Sequence, residues 1–257
     1  MKLGKPPVIE AWIEFHSLLN EEVPQWEVHN AKKFVDEYYP DLQHQMVATQ
    51  HRLIYDMHGK EKGKVSTLFE RFRGTAPDGD RVIQVGRQIL VLNVLKNEGR
   101  IWPTFETWRD ESLKLLSRYV EFIKREHIIG IRPAIHYRDL VTLPTADGKL
   151  AIEEYLRVYP KVPNEFGEIA HFGIELFLSG LSNAGLTRLS VVPMPDPERQ
   201  GLADFQLDWH VEINPKQTLQ PEQNEIKDWL DKAQADVGDA FERIFTPKAW
   251  ALFEPEG

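Results

Sequence analysis

The sequence predicts an α+β protein built on an internally duplicated antiparallel sheet of about eight strands, covered on one face by two long helices. Three observations carry this. Punctuation recurs at a nearly constant offset: Tyr39-Pro40 and Tyr159-Pro160 lie 120 residues apart, while Pro77 to Arg81 and Pro195 to Arg199, and likewise Pro103 and Pro221, lie 118 apart. Short runs alternate apolar with polar residues at the period of two that a half-covered strand requires. Two longer segments carry one apolar stripe at helical spacing.

In chain order, Val8 to His16 and Ile128 to His136 read as equivalent strands, each ending in histidine. Ala31 to Tyr38 and Leu150 to Val158 read as short helices. Met46 to Tyr55 and Phe166 to Glu175 read as strands that set His51 opposite His171. Val65 to Arg73 and Arg81 to Leu95, separated by a Pro/Asp/Gly turn, form a hairpin, with Leu186 to Val192 and Leu202 to Ile213 as its repeat. Helices follow near 104–126 and 222–244. The first buries a stripe of Trp108, Leu115, Tyr119, Phe122 and Ile123, the second Ile226, Ala233, Val237, Ala240 and Phe241. Thr104 is placed to cap the first, with Glu106 and Asp110 suiting its positive end. A helix of roughly 23 residues spans about 34 Å, enough to cross a four-stranded sheet. Arg125 to Arg132 passes from helix to strand without a linker, so residues 1–257 are expected to form one pseudo-symmetric domain with repeat halves 1–126 and 127–257.

Composition bounds the chemistry. At 42% hydrophobic and 28% charged the chain is too apolar for disorder, and zero cysteine removes disulfides, thiolate zinc sites, Fe–S clusters and cysteine nucleophiles. No window approaches the ~18 apolar residues of a membrane span, so a cytoplasmic protein is expected. The net charge of −9 argues against broad binding to phosphate backbones.

Candidate binding residues come from charge and alternation. In Leu202 to Ile213, Asp204, Gln206, Asp208, His210 and Glu212 share one face, and Asp204, Asp208 and His210 are weak candidates for a metal. The solvated outer face of a sheet is the reading preferred. Their counterparts 118 residues earlier are Gly86, Gln88, Leu90, Leu92 and Val94, so no symmetric metal site exists, and an apolar open face in the first half beside an acidic one in the second is expected. His44, His51 and His58 recur every seven residues, an odd interval that puts neighbours on opposite faces of a strand. Arg71, Arg73 and Arg87 on the first hairpin, and Arg132, His136 and Arg138 on one face of the fifth strand, form the forks that recognise phosphate or carboxylate. The plainer reading pairs them with acids such as Glu70. Gly59 to Lys64 lacks P-loop spacing and reads as a charged turn. Trp108, Trp209 and Trp229 read as core, whereas Trp26 and Trp102 fall in loops where an indole can anchor a partner.

Pro6 to Ala11, the strand start Gly130-Ile131-Arg132 and the closing Ala240 to Thr246 resemble a family of bacterial and archaeal proteins distributed sporadically among strains. This chain departs from that pattern at Arg132 to His136, so no role is carried onto that strand. The distribution implies a defence-associated or toxin-neutralising setting. The element order also resembles the TATA-binding-protein-like architecture, which implies a curved sheet.

The function expected is therefore a non-catalytic protein-interaction module in the cytoplasm, without cofactor or membrane, whose partner is another protein or a second copy in a homodimer. A nucleotide-sensing or enzymatic protein using the arginine- and histidine-lined sheet face is the alternative. Tight duplex-DNA binding is not expected, because Asp204, Asp208 and Glu212 would meet the phosphates.

Overall fold

A computed structural model describes residues 7–20, 28–40, 43–47, 52–55, 61–65, 71–97, 101–145, 151–160, 173–178, 184–194, 201–214 and 216–253. The first repeat runs β1 (Val8–Leu19), α1 (Val28–Tyr38), β2 (Gln43–Val47), β3 (Arg52–Tyr55), β4 (Glu61–Val65), β5 (Arg71–Thr75), β6 (Arg81–Val85), β7 (Ile89–Leu95) and α2 (Phe105–Ile123). The second runs β8 (Ile128–Pro144), β9 (Ile174–Leu178), β10 (Gly185–Met194), β11 (Leu202–Ile213) and α3 (Gln223–Ile244), followed by the short α4 (Pro247–Trp250). Among the described residues nine strands share one antiparallel sheet in the order β2-β5-β6-β7-β1-β8-β11-β10-β9, and β3 and β4 form a separate hairpin. The duplication is legible in that order. β1 and β8 are flanked by β7 and β11, then by β6 and β10, then by β5 and β9, and each repeat closes with its long helix.

By its internal contacts the chain divides into two compact units. The first contains residues 13–132 and 218–226, the second residues 1–12, 133–217 and 227–257. In the first, Ile83, Val85, Leu90, Leu92 and Val94 join Phe15, Trp108, Leu115 and Tyr119 in the core, all buried. Thr104 caps α2, its side chain accepting from the Thr107 N–H at 3.4 Å, and Glu106 lies in the first turn as expected. Asp110 lies one turn further on and pairs instead with Arg109 at 2.7 Å. Burial raises the Tyr119 phenol well above its ordinary pKa, and the hydroxyl donates to the Gly86 and Arg87 carbonyls.

In the second unit Leu207, Trp209 and Val211 of β11 lie with Leu230 and Ala233 of α3 in the core. Trp209 donates through Nε1 to the buried Asp139 carboxylate at 2.9 Å. The tail folds back: Phe245 bridges to Leu156, the Thr246 N–H donates to the Tyr155 carbonyl, and Phe241, Phe245, Trp250 and Phe253 pack edge to face. Among the described residues no helix is long and apolar enough to cross a membrane.

Five expectations are corrected. The run Arg81 to Leu95 is two strands, because Gly86 to Gln88 reverses the chain with the Gly86 N–H on the Ile89 carbonyl at 2.8 Å. Met46 to Tyr55 likewise spans parts of β2 and β3. Leu150 to Val158 gives a single 3₁₀ turn, Ile152–Glu154, because the Arg157 N–H is taken by the Ile244 carbonyl and the following backbone pairs with the tail. Glu61 to Lys64 is strand, not turn. Pro77 to Arg81 joins β5 to β6, whereas 195–199 separates β10 from β11, whose positional equivalents are β6 and β7. The two loops are therefore not counterparts, and their constant offset is a coincidence of spacing.

Candidate functional site

The covered face of the second unit's sheet is identified by Trp209 and Tyr137: Trp209 packs on Phe241 of α3 at 6.2 Å, and the Tyr137 hydroxyl donates to Gln234 of the same helix. Alternation then sends Asp204, Gln206, Asp208, His210 and Glu212 of β11 to the opposite, open face. On β8 the same phase selects His136, Arg138, Leu140 and Thr142, directly opposite His210, Asp208, Gln206 and Asp204. From β1 come Glu10 and Trp12.

These side chains fix one another. Arg138 donates through Nε to Asp208 at 2.7 Å and through Nη1 to Glu10 at 3.0 Å, and it lies 5.8 Å from the centre of the Trp12 ring. Trp12 stacks on His136 at 4.4 Å with the rings 9° from parallel, and His136 in turn meets His210 at 4.1 Å. Gln206 donates to the second Asp208 oxygen at 2.7 Å, and Thr142 donates to Asp204 at 2.5 Å. Glu212 lies 3.5 Å from the His210 Nε2. Both Asp204 and Asp208, two of the three weak metal candidates, are thus engaged by protein donors. Among the described residues no group of three or more histidines and carboxylates is arranged to hold a metal ion.

Around this network lie large apolar side chains in the open. Leu140 is 37% exposed, Met194 44%, Leu202 41% and Phe177 62%. Register puts all four on the same face: Met194 is opposite Asp204, Leu202 opposite Pro144, Leu140 opposite Gln206, and Phe177 opposite Arg188, which itself faces His210. Ile101, Ile129 and Leu252 are the other large apolar residues exposed among those described. Neither a scan of protein-family models nor a search of curated proteins finds a match for this chain.

The predicted binding residues separate. His136 and Arg138 sit together in the network, and Arg132 shares their phase on β8. Arg71 and Arg73 lie on β5 of the first unit, where Arg71 donates to Gln84 at 3.0 Å, and Arg87 sits in the turn between β6 and β7. His136 stands mid-strand, because β8 continues to Pro144, and its repeat partner His16 is exposed and paired with Glu14. Trp102 is partly exposed ahead of α2; Trp26, His51, His58, His171, Glu70 and the 195–199 loop lie outside the described residues. The expected apolar open face of the first half is overturned. Leu90, Leu92 and Val94 point to the covered side, with Ile83, Val85 and the Arg81 that pairs with Glu111 of α2 at 3.0 Å. Offset 118 matches the spacing but is one residue out of phase with the pleat.

Sequence reading missed Glu10, Trp12 and the four exposed apolar residues. A signal for Trp12 existed: it occupies the polar phase of Val8 to His16, among Glu10, Glu14 and His16, while Ala11, Ile13 and Phe15 take the buried one. A groove of about 180 Å³ between α1 and α2, lined by Phe34, Glu37, Arg118, Glu121 and Phe122, is smaller than ordinary ligand sites of roughly 300 Å³ or more and holds none of the predicted residues.

Proposed function

We propose that this protein is a non-catalytic interaction module that binds another protein through the open sheet face of its second unit. The observation that carries this is the collection of Leu140, Met194, Leu202 and Phe177 on one face, around an ordered Trp12–His136–Arg138 network. Exposed apolar patches mark interfaces, and tryptophan and arginine held in place before binding are the residue types that anchor them at least entropic cost. Catalysis is disfavoured on the same ground: the carboxylates of Asp208 and Glu10 are committed to Arg138, and the histidines to stacking. The cysteine-free composition supports a reducing cytoplasm, and the sporadically distributed family that the chain resembles supports a defence or toxin-neutralising setting.

The alternative, a nucleotide sensor, draws on Arg132, His136 and Arg138 sharing one phase of β8. Two measurements separate them. A photo-crosslinking residue at Ser190, within the face, should trap a discrete protein in host cells that Trp12→Ala fails to trap, while the same probe at Lys232 on α3 should trap none. A thermal shift with a nucleotide that disappears in Arg132→Ala would reverse the ranking.

A further inference from the structure

We infer that the first unit carries a binding site for a terminal phosphate group, held by Arg71 and Arg73 of β5. The site is separate from the face proposed above and does not depend on it. Phe72 and Gly74 pair with Val85 and Ile83 on the side of α2, so alternation turns Arg71 and Arg73 together to the other face, about 6.6 Å apart along the strand. Gln84 of β6 lies directly opposite Arg73. Its side-chain oxygen accepts from Arg71 Nη1 at 3.0 Å, and its nitrogen donates to Asn93 of β7 at 3.1 Å. Val82, Val91 and Asn93 beside them are buried, while both arginines are partly exposed.

What the two arginines lack is an acid. Among the described residues Arg73 makes no hydrogen bond or ion pair, and Arg71 bonds only to the neutral Gln84 amide, its Nε shut off from solvent without a partner. The chain has 40 acidic residues to 31 Lys and Arg, and elsewhere Arg81, Arg118, Arg138 and Arg188 each meet a carboxylate. A guanidinium partly withdrawn from water without a counter-charge costs free energy, which an incoming anion recovers.

Geometry selects the anion. Two planar forks on one face need an acceptor with more than one edge to share. A carboxylate presents a single edge of two oxygens and fills one fork, whereas a terminal phosphate presents three oxygens, enough for both, and its second charge matches the second guanidinium. Gln84 acts as a positioning residue: tied to Asn93 on one side and Arg71 on the other, it holds that guanidinium in place before a ligand arrives, which lowers the entropy lost on binding.

Titration calorimetry of the full chain with phenyl phosphate and with benzoate, at equal ionic strength, tests this. Phenyl phosphate should bind about tenfold more tightly than benzoate. Inorganic phosphate separates the two sources of the group: binding as tight as the ester points to the free ion, and weaker binding to a phosphorylated small molecule. Arg71→Gln and Arg73→Gln should each weaken phenyl phosphate about tenfold, and Arg73→Lys, which keeps the charge and loses the fork, about fivefold. Arg118→Gln on α2 removes an arginine that already has its acids and should change nothing. Thermal melts give a second readout that also reports folding of the variants. Phosphate should raise the wild-type Tm above its value in sodium chloride of the same ionic strength, and should not do so when Arg71→Gln and Arg73→Gln are combined. No binding by the wild type, benzoate binding as tightly as phenyl phosphate, equal loss in Arg118→Gln, or full binding in the combined variant overturns the inference. The protein trapped from Ser190 is unaffected by any of these results, so the two readings fail separately.

Discussion

The two units use the same strand order and a long helix apiece, yet their second sheet faces differ in kind. In the first unit the face turned away from α2 carries Val82 and Val91, each 1% exposed, and Asn93, also buried and accepting from Gln84 at 3.1 Å. In the second, the corresponding phase carries apolar side chains that are more than a third exposed. Strands buried on both faces must be apolar throughout, and β7 reads ILVLNVL; strands open on one side alternate, and β11 reads LADFQLDWHVEI. A duplicated architecture thus retains its hidden face in both copies while the other face is free to diverge, buried in one copy and exposed in the other.

The sharpest way to break this comparison is to place the same charge in both faces. Val91→Asp puts a carboxylate where no water reaches and should destabilise by on the order of 4 kcal/mol. Leu140→Asp should move stability by no more than about 0.5 kcal/mol, because its site is already in solvent. Chemical denaturation of the two variants decides the matter, and equal losses would show that the second unit's face is covered too.

Alkaline pH gives the next largest contrast, since it acts through the first unit's core. The Tyr119 pKa is raised by burial, so the folded chain holds a proton that the unfolded chain releases above pH about 10. The unfolded state then binds fewer protons, and stability falls as pH rises beyond that point. Hydrogen exchange at rising pH should show α2 and β7 losing protection ahead of β10 and β11, and Tyr119→Phe should flatten the dependence while removing two hydrogen bonds at neutral pH. A smaller effect is expected at Arg138→Ala. Both partners are partly solvated, so about 1 kcal/mol is lost. What should change more is Trp12, whose fluorescence would report the loss of the cation over its ring.

The α+β class, the duplication and both long helices were legible because each rests on local rules: a cap at Thr104, stripes at helical spacing, alternation in β11. The phase between the repeats was not. Offset 118 is even, so it assigns Leu90 and Asp208 to one face, but a pleat inverts with every single-residue slip, and the segments 77–81 and 195–199 that supply the offset join non-equivalent strands. The site residues were half legible for a related reason. His136 and Arg138 declared themselves by alternation within one strand, whereas their partners Glu10 and Trp12 lie more than a hundred residues away, and only strand pairing brings them alongside.

The division of β1 between the units also dictates an order of assembly during synthesis. Val8 to Trp12 precedes β8, β10, β11 and the aromatic segment Phe241 to Phe253 of its own unit by more than a hundred residues. At about 5–20 residues per second, that start must wait on the order of ten seconds or more for the partners that shelter it. During this interval the apolar phase of β1 is uncovered. A ribosome stalled before Phe241 should therefore hold a chain that a chaperone grips or a protease cuts near Ala11, and release of the remaining residues should close that window in a single step.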